Sequence, residues 1–320
     1  MKKLLLILLC LPMIGLGQQT YVPDNNFEAY LENNGIGNGI PYDSSVFTSA
    51  IDTLTYLDLS FGAGTATGFF DLTGIEDFTA LTYLNCSNNQ ITSLDVSSNI
   101  ALTDLYCQGN QLTSIDVSGA TALIHLDCEQ NQLTSLDVNN NTALTSLGCS
   151  GNQFTSLDVN QNTALTHLQC SNNQLTNLDV TQNNFLSNLW CENNQITYLD
   201  LTSQISFVHL YIEGNNLTSL DISHMQCPGL AEANLSNPNL FCIQVTDVSC
   251  WYQPFTSWMI DTTFQYFSAN CSGTAIQEHT TNKELLKVRD QLGRDIKGTK
   301  NEVLFYIYDD GTVEKRIVVE

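Results

Sequence analysis

The feature that most restricts how this chain can fold is a cysteine that recurs every 21 residues. The six cysteines of this series are Cys86, Cys107, Cys128, Cys149, Cys170 and Cys191. The neighbouring residues keep the same step, so that the first full unit, ALTYLNCSNNQITSLDVSSNI, is followed by six more. The last of these units has Ile212 where the others have cysteine. Such a fixed period predicts a solenoid, whose stacked coils bury a continuous core that no single coil could bury alone.

Each unit follows the pattern L-x-x-L-x-C-x-x-N-x-L-x-x-L-D-V, which predicts one short strand per coil. In the first unit Leu84 and Cys86 alternate with the polar Asn85 and Ser87, as in a strand with one buried face. Asn89 follows the strand, and its amide can bond backbone groups of its own coil and of a neighbouring one. We expect the leucine at the strand centre to be buried in every coil, at Leu84, Leu105, Leu126, Leu147, Leu168, Leu189 and Leu210.

The pattern resembles the leucine-rich-repeat family, whose consensus L-x-x-L-x-L-x-x-N-x-L it matches over roughly residues 54–240. The cysteine in place of the third leucine is similar to the cysteine-ladder repeats of the internalin J type, found in a bacterial surface adhesin. The resemblance implies an α/β-type repeat solenoid that is mostly β, curved into a horseshoe with a parallel sheet on its concave face. It also implies a surface-binding role.

The segments on either side of the repeats are predicted to cover the two open ends of the solenoid. Residues 18–53 form the predicted N-terminal cap, in which Asp24 begins a short helix and Gly35 ends it. The repeats are assigned to residues 54–241. The aromatic-rich residues 242–272 are predicted to form a small C-terminal cap.

The cysteines fall into two groups with different expected chemistry. The ladder side chains project in parallel from coils about 4.8 Å apart, which is poor geometry for a disulfide. We therefore expect six buried free thiols, with disulfides and metal ligation as less favoured alternatives. Four cysteines off the ladder suit two disulfides near the C-terminal cap: Cys227, Cys242, Cys250 and Cys271. Of the three pairings we predict Cys242–Cys271, and the pairing of Cys227 and Cys250 stays open.

Charge divides the chain sharply. Residues 1–17 start with Lys2 and Lys3 and continue with a short apolar run, which predicts a secretory signal peptide. No later apolar stretch is long enough to predict a transmembrane segment. The remaining eight basic residues all follow Asn282, whereas residues 18–282 hold 25 of the 33 acidic residues. Such a body repels phosphate backbones, which argues against nucleic acid as a partner and leaves cationic partners, neutral glycans and divalent cations.

The tail at residues 283–320 follows a linker at residues 273–282. Three runs predict strands: Leu285–Val288, Val303–Tyr308 and Val313–Val319. The DQLGR stretch, the YIYDDG turn and the closing basic-apolar strand are similar to the C-terminal sorting domain of type IX secretion substrates. The tail is a shortened form, because the Y-P-N-P opening of that family is missing. The resemblance implies the type IX secretion machinery as a partner and a final location in the medium or on the outer cell surface.

The sequence contains no motif that indicates catalysis. A nucleophile elbow, an H-E-x-x-H pair, a phosphate-binding loop and a metal-spaced Cys/His set are all missing, so we expect neither an enzyme nor a cofactor. One aspartate repeats in every coil, at Asp95, Asp116, Asp137, Asp158, Asp179, Asp200 and Asp221. Each can accept hydrogen bonds from turn N–H groups, or Ca²⁺ can bridge some of them; we favour the first interpretation.

The exposed strand positions supply the best candidate site. Trp190 and Tyr211 fall in the same column of adjacent coils, and exposed aromatic side chains with polar neighbours suit sugar rings or peptide anchors. The predicted ligand-binding residues are Trp190, Tyr211, His209, Asn188, Glu192, Glu213 and His167. We therefore expect an exported recognition protein that binds protein or glycan ligands through the concave face. The alternative is a passive structural or cation-retaining surface protein without a specific ligand.

Overall fold

The computed structural model describes residues 17–60, 68–204, 207–225, 232–240 and 242–246, with short segments at 258–259, 266–269, 271, 285–289, 303–308 and 313–317. The described helices are α1 (Asn25–Asn33), α2 (Thr48–Ile51) and a 3-10 turn (Ile75–Asp77). The first strands are β1 (Gln19–Tyr21), β2 (Ser45–Phe47), β3 (Tyr56–Asp58), β4 (Tyr83–Asn85), β5 (Ser93–Asp95), β6 (Asp104–Tyr106), β7 (Ser114–Asp116) and β8 (His125–Asp127). They are followed by β9 (Ser146–Gly148), β10 (His167–Gln169), β11 (Asn188–Trp190), β12 (His209–Tyr211), β13 (Leu220–Asp221) and β14 (Glu232–Asn234). The last are β15 (Cys242–Gln244), β16 (Trp258–Met259), β17 (Tyr266–Ser268), β18 (Leu285–Arg289), β19 (Val303–Tyr308) and β20 (Val313–Ile317).

Ten of these strands form one parallel sheet along the solenoid, in the order β16-β14-β12-β11-β10-β9-β8-β6-β4-β3. Each coil contributes one strand, and neighbouring strands align leucine with leucine, as in Leu84 with Leu105 and Leu189 with Leu210. The seven central leucines that we expected to be buried are at most 1% exposed. The predicted register and the parallel sheet of the horseshoe are therefore confirmed.

An asparagine after each strand of the repeats bonds its own coil to the preceding one. Asn152 is representative, because its Nδ2 donates to the carbonyl oxygens of Cys128 at 3.0 Å and of Cys149 at 3.2 Å. Its Oδ1 accepts a hydrogen bond from the backbone N–H of Leu133 at 3.0 Å. The same bonds recur at Asn89, Asn110, Asn131, Asn173, Asn194 and Asn215. This first amide ladder satisfies backbone groups that the curved coils would otherwise bury without a partner.

A second amide ladder runs along the opposite side of the core, and the sequence analysis did not foresee it. Its members are fully buried: Asn99, Asn141, Asn162, Asn183 and Gln204. Asn162, for example, donates from Nδ2 to the carbonyl oxygens of Val138 and Asn141, both at 2.9 Å. The side-chain oxygens of this ladder accept no hydrogen bond within the described part of the chain. Each of these amides therefore makes fewer bonds than a member of the first ladder.

The repeated aspartates cap turns on this opposite side. In all seven, Oδ1 accepts a hydrogen bond of 2.9–3.0 Å from the backbone N–H two residues ahead. Hydrogen bonds from the residue two positions ahead hold the pKa of Asp116, Asp179 and Asp200 below its ordinary value. Among the described residues no group of His, Cys, Asp or Glu is arranged to hold a metal ion. The seven hydrogen bonds from turn N–H groups support turn capping by the aspartate column, the interpretation that we favoured.

The six ladder cysteines lie inside the core as free thiols, each 0% exposed. Burial raises the pKa of Cys86 to about 12, and it raises the pKa of the five other ladder thiols as well. Because the thiolate is the reactive form, both the burial and the high pKa suppress reaction.

We expect the ladder thiols to be unreactive in the folded protein and to react on unfolding. Titration with a thiol reagent in denaturant, without reductant, should count about six thiols, the number of free ladder cysteines. The same titration without denaturant should count almost none, because the reagent cannot reach the core. A count near zero in denaturant would show that the ladder is oxidised.

The N-terminal cap covers the first coil with aromatic side chains. Helix α1 begins after Asp24, whose Oδ1 accepts from the N–H of Phe27 at 3.1 Å and whose Oδ2 accepts from the N–H of Phe70 at 2.6 Å. The ring of Phe27 lies 6.2 Å from that of Phe69 and 6.1 Å from that of Phe78. The sequence predicted this helix and its capping residue, but not the antiparallel pair of strands β1 and β2.

At the C-terminal end the strands continue beyond the last recognisable repeat. Strand β16 pairs in parallel with β14, and β17 pairs in parallel with β15. The segment 242–272 that we predicted as a small cap therefore adds β16 to the ten-stranded sheet and β15 and β17 to the sheet that begins with β13. Cys242 and Cys271 form the predicted disulfide, with Cα atoms 5.8 Å apart. Cys227 and Cys250 lie outside the described residues.

The tail forms a small antiparallel sheet in the order β18-β19-β20. Its strands coincide closely with the three predicted ones, while the predicted hairpin turn at residues 309–312 lies outside the described residues. Residues 1–16, most of the predicted signal peptide, also lie outside them. Within the described ranges, no helix combines the length and the hydropathy needed to cross a bilayer.

Candidate binding surface

Nine strands of the ten-stranded sheet place two columns of residues on its outer face, one from the first and one from the third residue of each strand. The first column comprises Tyr56, Tyr83, Asp104, His125, Ser146, His167, Asn188, His209 and Glu232. The second comprises Asp58, Asn85, Tyr106, Asp127, Gly148, Gln169, Trp190, Tyr211 and Asn234. Because leucine occupies the middle position and points into the core, the sheet itself fixes the spacing of these columns.

Three aromatic rings lie together near the C-terminal end of this face, and we call Trp190, His209 and Tyr211 the tryptophan patch. Trp190 and Tyr211 are directly paired on adjacent strands, as predicted, with ring centroids 6.3 Å apart and planes 11° apart. The ring of His209 lies 5.7 Å from that of Trp190 at an interplanar angle of 20°. The three rings are partly exposed, so together they offer a stack of nearly parallel aromatic rings to solvent.

Hydrogen bonds along the first column hold these rings in place. The amide of Asn188 bridges two histidines, with Nδ2 3.0 Å from Nε2 of His167 and Oδ1 2.5 Å from Nδ1 of His209. Tyr211 donates from its hydroxyl to Glu232 at 2.8 Å. Asn188 itself is only 6% exposed, so this predicted contact residue orients its neighbours and offers little surface of its own. Glu232 belongs to the same network and was not among the predicted residues.

The bridge requires one protonation state of His167. Its Nε2 faces the amide nitrogen of Asn188, which can only donate, so Nε2 must be the unprotonated nitrogen of a neutral ring. Burial lowers the pKa of His167, and the other two histidines of the column lower it further. The neutral ring is therefore the form that the folded protein favours at neutral pH.

Two glutamates border the patch along the end of the strands. Glu192 is partly buried and accepts a hydrogen bond from the hydroxyl of Ser171. Burial raises the pKa of Glu192, and the charge of Glu213 raises it further. Glu213 follows in the next coil, where its carbonyl oxygen accepts a hydrogen bond from the backbone N–H of Asn193 at 2.9 Å. The predicted residues Trp190, His209, Glu192 and Glu213 are thus neighbours, and His167 joins them through Asn188.

Carboxylates also concentrate in the middle of the face. Oδ1 of Asp104 lies 2.6 Å from Nδ1 of His125. The side chains of Asp127 and Glu129 lie close to Gly148, where an added Cβ would come within 3.2 Å of Oδ1 of Asp127. Burial raises the pKa of both carboxyls, and the charge of Asp127 raises that of Glu129 further. The described ion pairs of this face both involve histidine, so its negative charge is poorly compensated.

The three histidines of the first column do not form a metal site. His125, His167 and His209 lie on β8, β10 and β12, and one further strand separates each from the next. Two strand spacings amount to about 10 Å, which is too far for one ion to bridge. What the surface offers chemically is stacking, hydrogen bonding and negative charge.

A second group of aromatic side chains lies at the N-terminal end of the face and was missed by the sequence analysis. Tyr56 and Tyr83 are paired on adjacent strands with ring centroids 4.6 Å apart. Tyr106 lies 5.6 Å from Tyr83. The signal was present in the repeat alignment, which places Tyr83 and Tyr106 at exposed strand positions. Tyr56, however, belongs to the degenerate first unit, in which the register is difficult to assign from sequence.

Comparison with known proteins agrees with the repeat assignment. Residues 79–119 match the family model described as leucine rich repeats (2 copies). No curated protein matches the chain. The functional domain of InlJ from Listeria monocytogenes, which includes a cysteine ladder, is 30% identical with a TM-score of 0.44; the alignment covers 76% of this chain and 62%, less than two thirds, of that one.

Two further solved structures are similar in fold. Internalin C2 from Listeria monocytogenes strain 4b F2365 is 21% identical with a TM-score of 0.55, and the alignment covers 72% of this chain and 99% of that one. The LRIM1/APL1C complex is 21% identical with a TM-score of 0.50, covering 61% of this chain and 36% of that one. The matched residues 79–119, the strand register and the fold shared with these structures show that the chain has a leucine-rich-repeat fold.

Proposed function

We propose that this chain is an exported recognition protein that binds a protein or glycan ligand at the tryptophan patch of its concave face. The observation that carries the proposal is the stacked, nearly parallel arrangement of the rings of Trp190, His209 and Tyr211. Large aromatic side chains with a polar rim are the usual anchors of binding interfaces and of sugar-binding surfaces. Here Glu192 and Glu213 provide such a rim.

The patch is also rigid before any ligand arrives. Its rings are held by the Asn188 bridge and by the bond from Tyr211 to Glu232, and the strands beneath them are fixed by buried leucines. A rigid surface loses little conformational freedom on binding, which favours affinity. The LRIM1/APL1C structure is itself a complex, which is consistent with a protein partner for the present chain.

Export is part of the proposal. Delivery to the cell surface or the medium is supported by two features: the apolar segment that follows Lys2 and Lys3, and the tail that is similar to type IX sorting domains. The type IX secretion machinery would then be a second, transient partner that reads the tail. We further propose that the protein is not an enzyme, because its sequence carries no catalytic motif.

The second candidate function is a passive acidic surface protein that retains cations. Residues 18–282 carry 25 acidic and no basic side chains, which favours this alternative. The two functions differ in what they require of the tryptophan patch. A passive acidic protein needs only its negative charge, whereas a recognition protein needs the aromatic rings of the tryptophan patch.

We expect the protein, produced from Gln18 to Glu320, to give saturable signals on a glycan and protein array. Trp190→Ala should remove those signals, because losing a central aromatic anchor costs about 2 kcal/mol or more. Tyr198→Ala is the matched control, since Tyr198 is an exposed aromatic residue outside the concave strands. Signals that persist in Trp190→Ala, or that follow ionic strength alone, would favour the passive acidic protein.

A further inference from the structure

A second aromatic surface lies at the opposite end of the concave face from the tryptophan patch. We call Tyr56, Tyr83 and Tyr106 the tyrosine patch. The rings of Tyr56 and Tyr83 are stacked at 4.6 Å with planes 10° apart, and Tyr106 is tilted by 44° against Tyr83 at 5.6 Å. Tyr56 is 59% exposed, so the outer face of the stack is open to solvent.

The fold does not need these rings. The core of the same coils is built by Leu57, Leu84 and Leu105, which are at most 2% exposed. At the equivalent positions other coils carry small or polar residues, such as Ser146 and Gly148 on β9. Three clustered tyrosines at positions that tolerate serine and glycine therefore indicate a role at the surface.

Carboxylates surround the tyrosine patch. Asp58 lies on the same strand as Tyr56, Asp104 is paired with Tyr83, and Asp127 is paired with Tyr106. The pKa of Tyr106 is raised first by burial and then by the negative charges of Asp104 and Asp127. The pKa of Tyr83 is likewise raised by burial and by Tyr56 and Asp58.

Little in the protein offsets this negative charge. Among the described ion pairs only that of His125 with Asp104 touches this end of the face, and residues 18–282 contain no lysine or arginine. The electron-rich faces of tyrosine attract cations, most often guanidinium groups, and nearby carboxylates add charge-assisted hydrogen bonds. A neutral sugar could stack on the rings but would leave the carboxylates uncompensated.

We propose that the tyrosine patch binds arginine side chains from an extended basic segment of a partner protein. The guanidinium stacks on the exposed ring of Tyr56 or on the partly exposed ring of Tyr83 and bonds to the carboxylates of Asp58 and Asp104. Four strand spacings separate β6, which carries Tyr106, from β11, which carries Trp190, or about 19 Å at the usual spacing. An extended segment of about six residues spans that distance, so one partner chain can reach both patches. The proposal uses residues separate from the tryptophan patch and can fail or succeed independently of it.

The test is an NMR titration of the protein from Gln18 to Glu320 at low salt with the peptide Gly-Arg-Arg-Gly. The control peptide replaces arginine by citrulline, which keeps the shape and removes the charge. We expect saturable shifts of the tyrosine ring signals with arginine and affinity at least about fivefold weaker with citrulline. Tyr83→Ala and Asp104→Asn should each weaken arginine binding by about three- to tenfold, while Tyr83→Phe should stay within about twofold because it keeps the ring.

Matched variants separate the possible failures. Tyr198→Ala should bind this short peptide as tightly as the unmodified protein, because Tyr198 lies outside the concave strands. Equal binding of the arginine and citrulline peptides, an unchanged affinity in Tyr83→Ala, or no binding at all would overturn the proposal. So would a neutral oligosaccharide whose binding is lost in Tyr83→Ala but kept in Asp104→Asn, since that result would assign the patch to a glycan.

Discussion

Asn152→Ala is expected to lower the free energy of unfolding by about 3–5 kcal/mol, because it removes the amide that joins two coils in the middle of the solenoid. The substitution eliminates hydrogen bonds to the carbonyl oxygens of Cys128 and Cys149 and from the N–H of Leu133. It also leaves these backbone groups buried without a partner, and each such group costs about 1–3 kcal/mol. Equilibrium unfolding in urea, followed by circular dichroism, measures the effect.

Two other asparagines calibrate this result. Asn139 is exposed, so Asn139→Ala should change the stability by less than about 0.5 kcal/mol. Asn162 belongs to the second amide ladder and donates two hydrogen bonds, and the equivalent position in an earlier coil is occupied by the buried Ala120. We therefore expect Asn162→Ala to cost less than Asn152→Ala. Equal losses for Asn152→Ala and Asn139→Ala would show that the first ladder does not hold the coils together.

The repeat explains why so much of the fold could be predicted. A strict 21-residue period makes each coil repeat the environment of the one before, so a single assignment of inward and outward positions applies to all of them. Leu84, Cys86 and Asn89 were assigned in one unit, and their counterparts are buried throughout. The aspartate column was interpreted in the same way, with turn N–H bonds favoured over bridging by Ca²⁺ in every coil.

The unpredicted parts are those where the period fails or where the role of a residue depends on its neighbours in other coils. The second amide ladder is interrupted by Ala120 and continued by Gln204, so its sequence signal is irregular. Strands β16 and β17 extend the solenoid through a segment whose sequence no longer repeats. In that segment backbone pairing continues although the side-chain pattern has changed, and pattern analysis detects side chains only.

The candidate site, too, was predicted only in part. The period alone placed Trp190 beside Tyr211, and the stacking follows from that register. It could not show that the Asn188 side chain bridges two histidines or that Glu232, in the degenerate coil that follows, bonds Tyr211. Those contacts depend on rotamers and on the exact curvature of the sheet, which no repeat consensus specifies.

Deleting residues 283–320 is expected to abolish export while leaving the solenoid folded, so that the truncated protein accumulates in the periplasm of a host with type IX secretion. The proposal that the tail is a sorting signal rests on its similarity to type IX sorting domains and on its composition, since the eight basic residues that follow Lys3 all lie there. Its strands pair among themselves as β18-β19-β20. The solenoid has its own terminal strands, β16 and β17, and its own disulfide between Cys242 and Cys271. Cell fractionation with immunodetection measures the location, and urea unfolding of the recovered protein measures the fold.

A matched deletion of residues 273–282 tests the predicted linker independently of the predicted sorting domain. If the tail alone is recognised, the protein that lacks only the linker should still be exported, because the three tail strands are intact. Normal export of the protein without residues 283–320 would refute the sorting role. Loss of its cooperative unfolding would carry a different meaning, because it would show that the tail covers the open end of the solenoid, as terminal caps of repeat proteins do. The two outcomes differ in the urea experiment. The same two deletion variants therefore distinguish a tail that acts as a sorting signal from a tail that caps the solenoid.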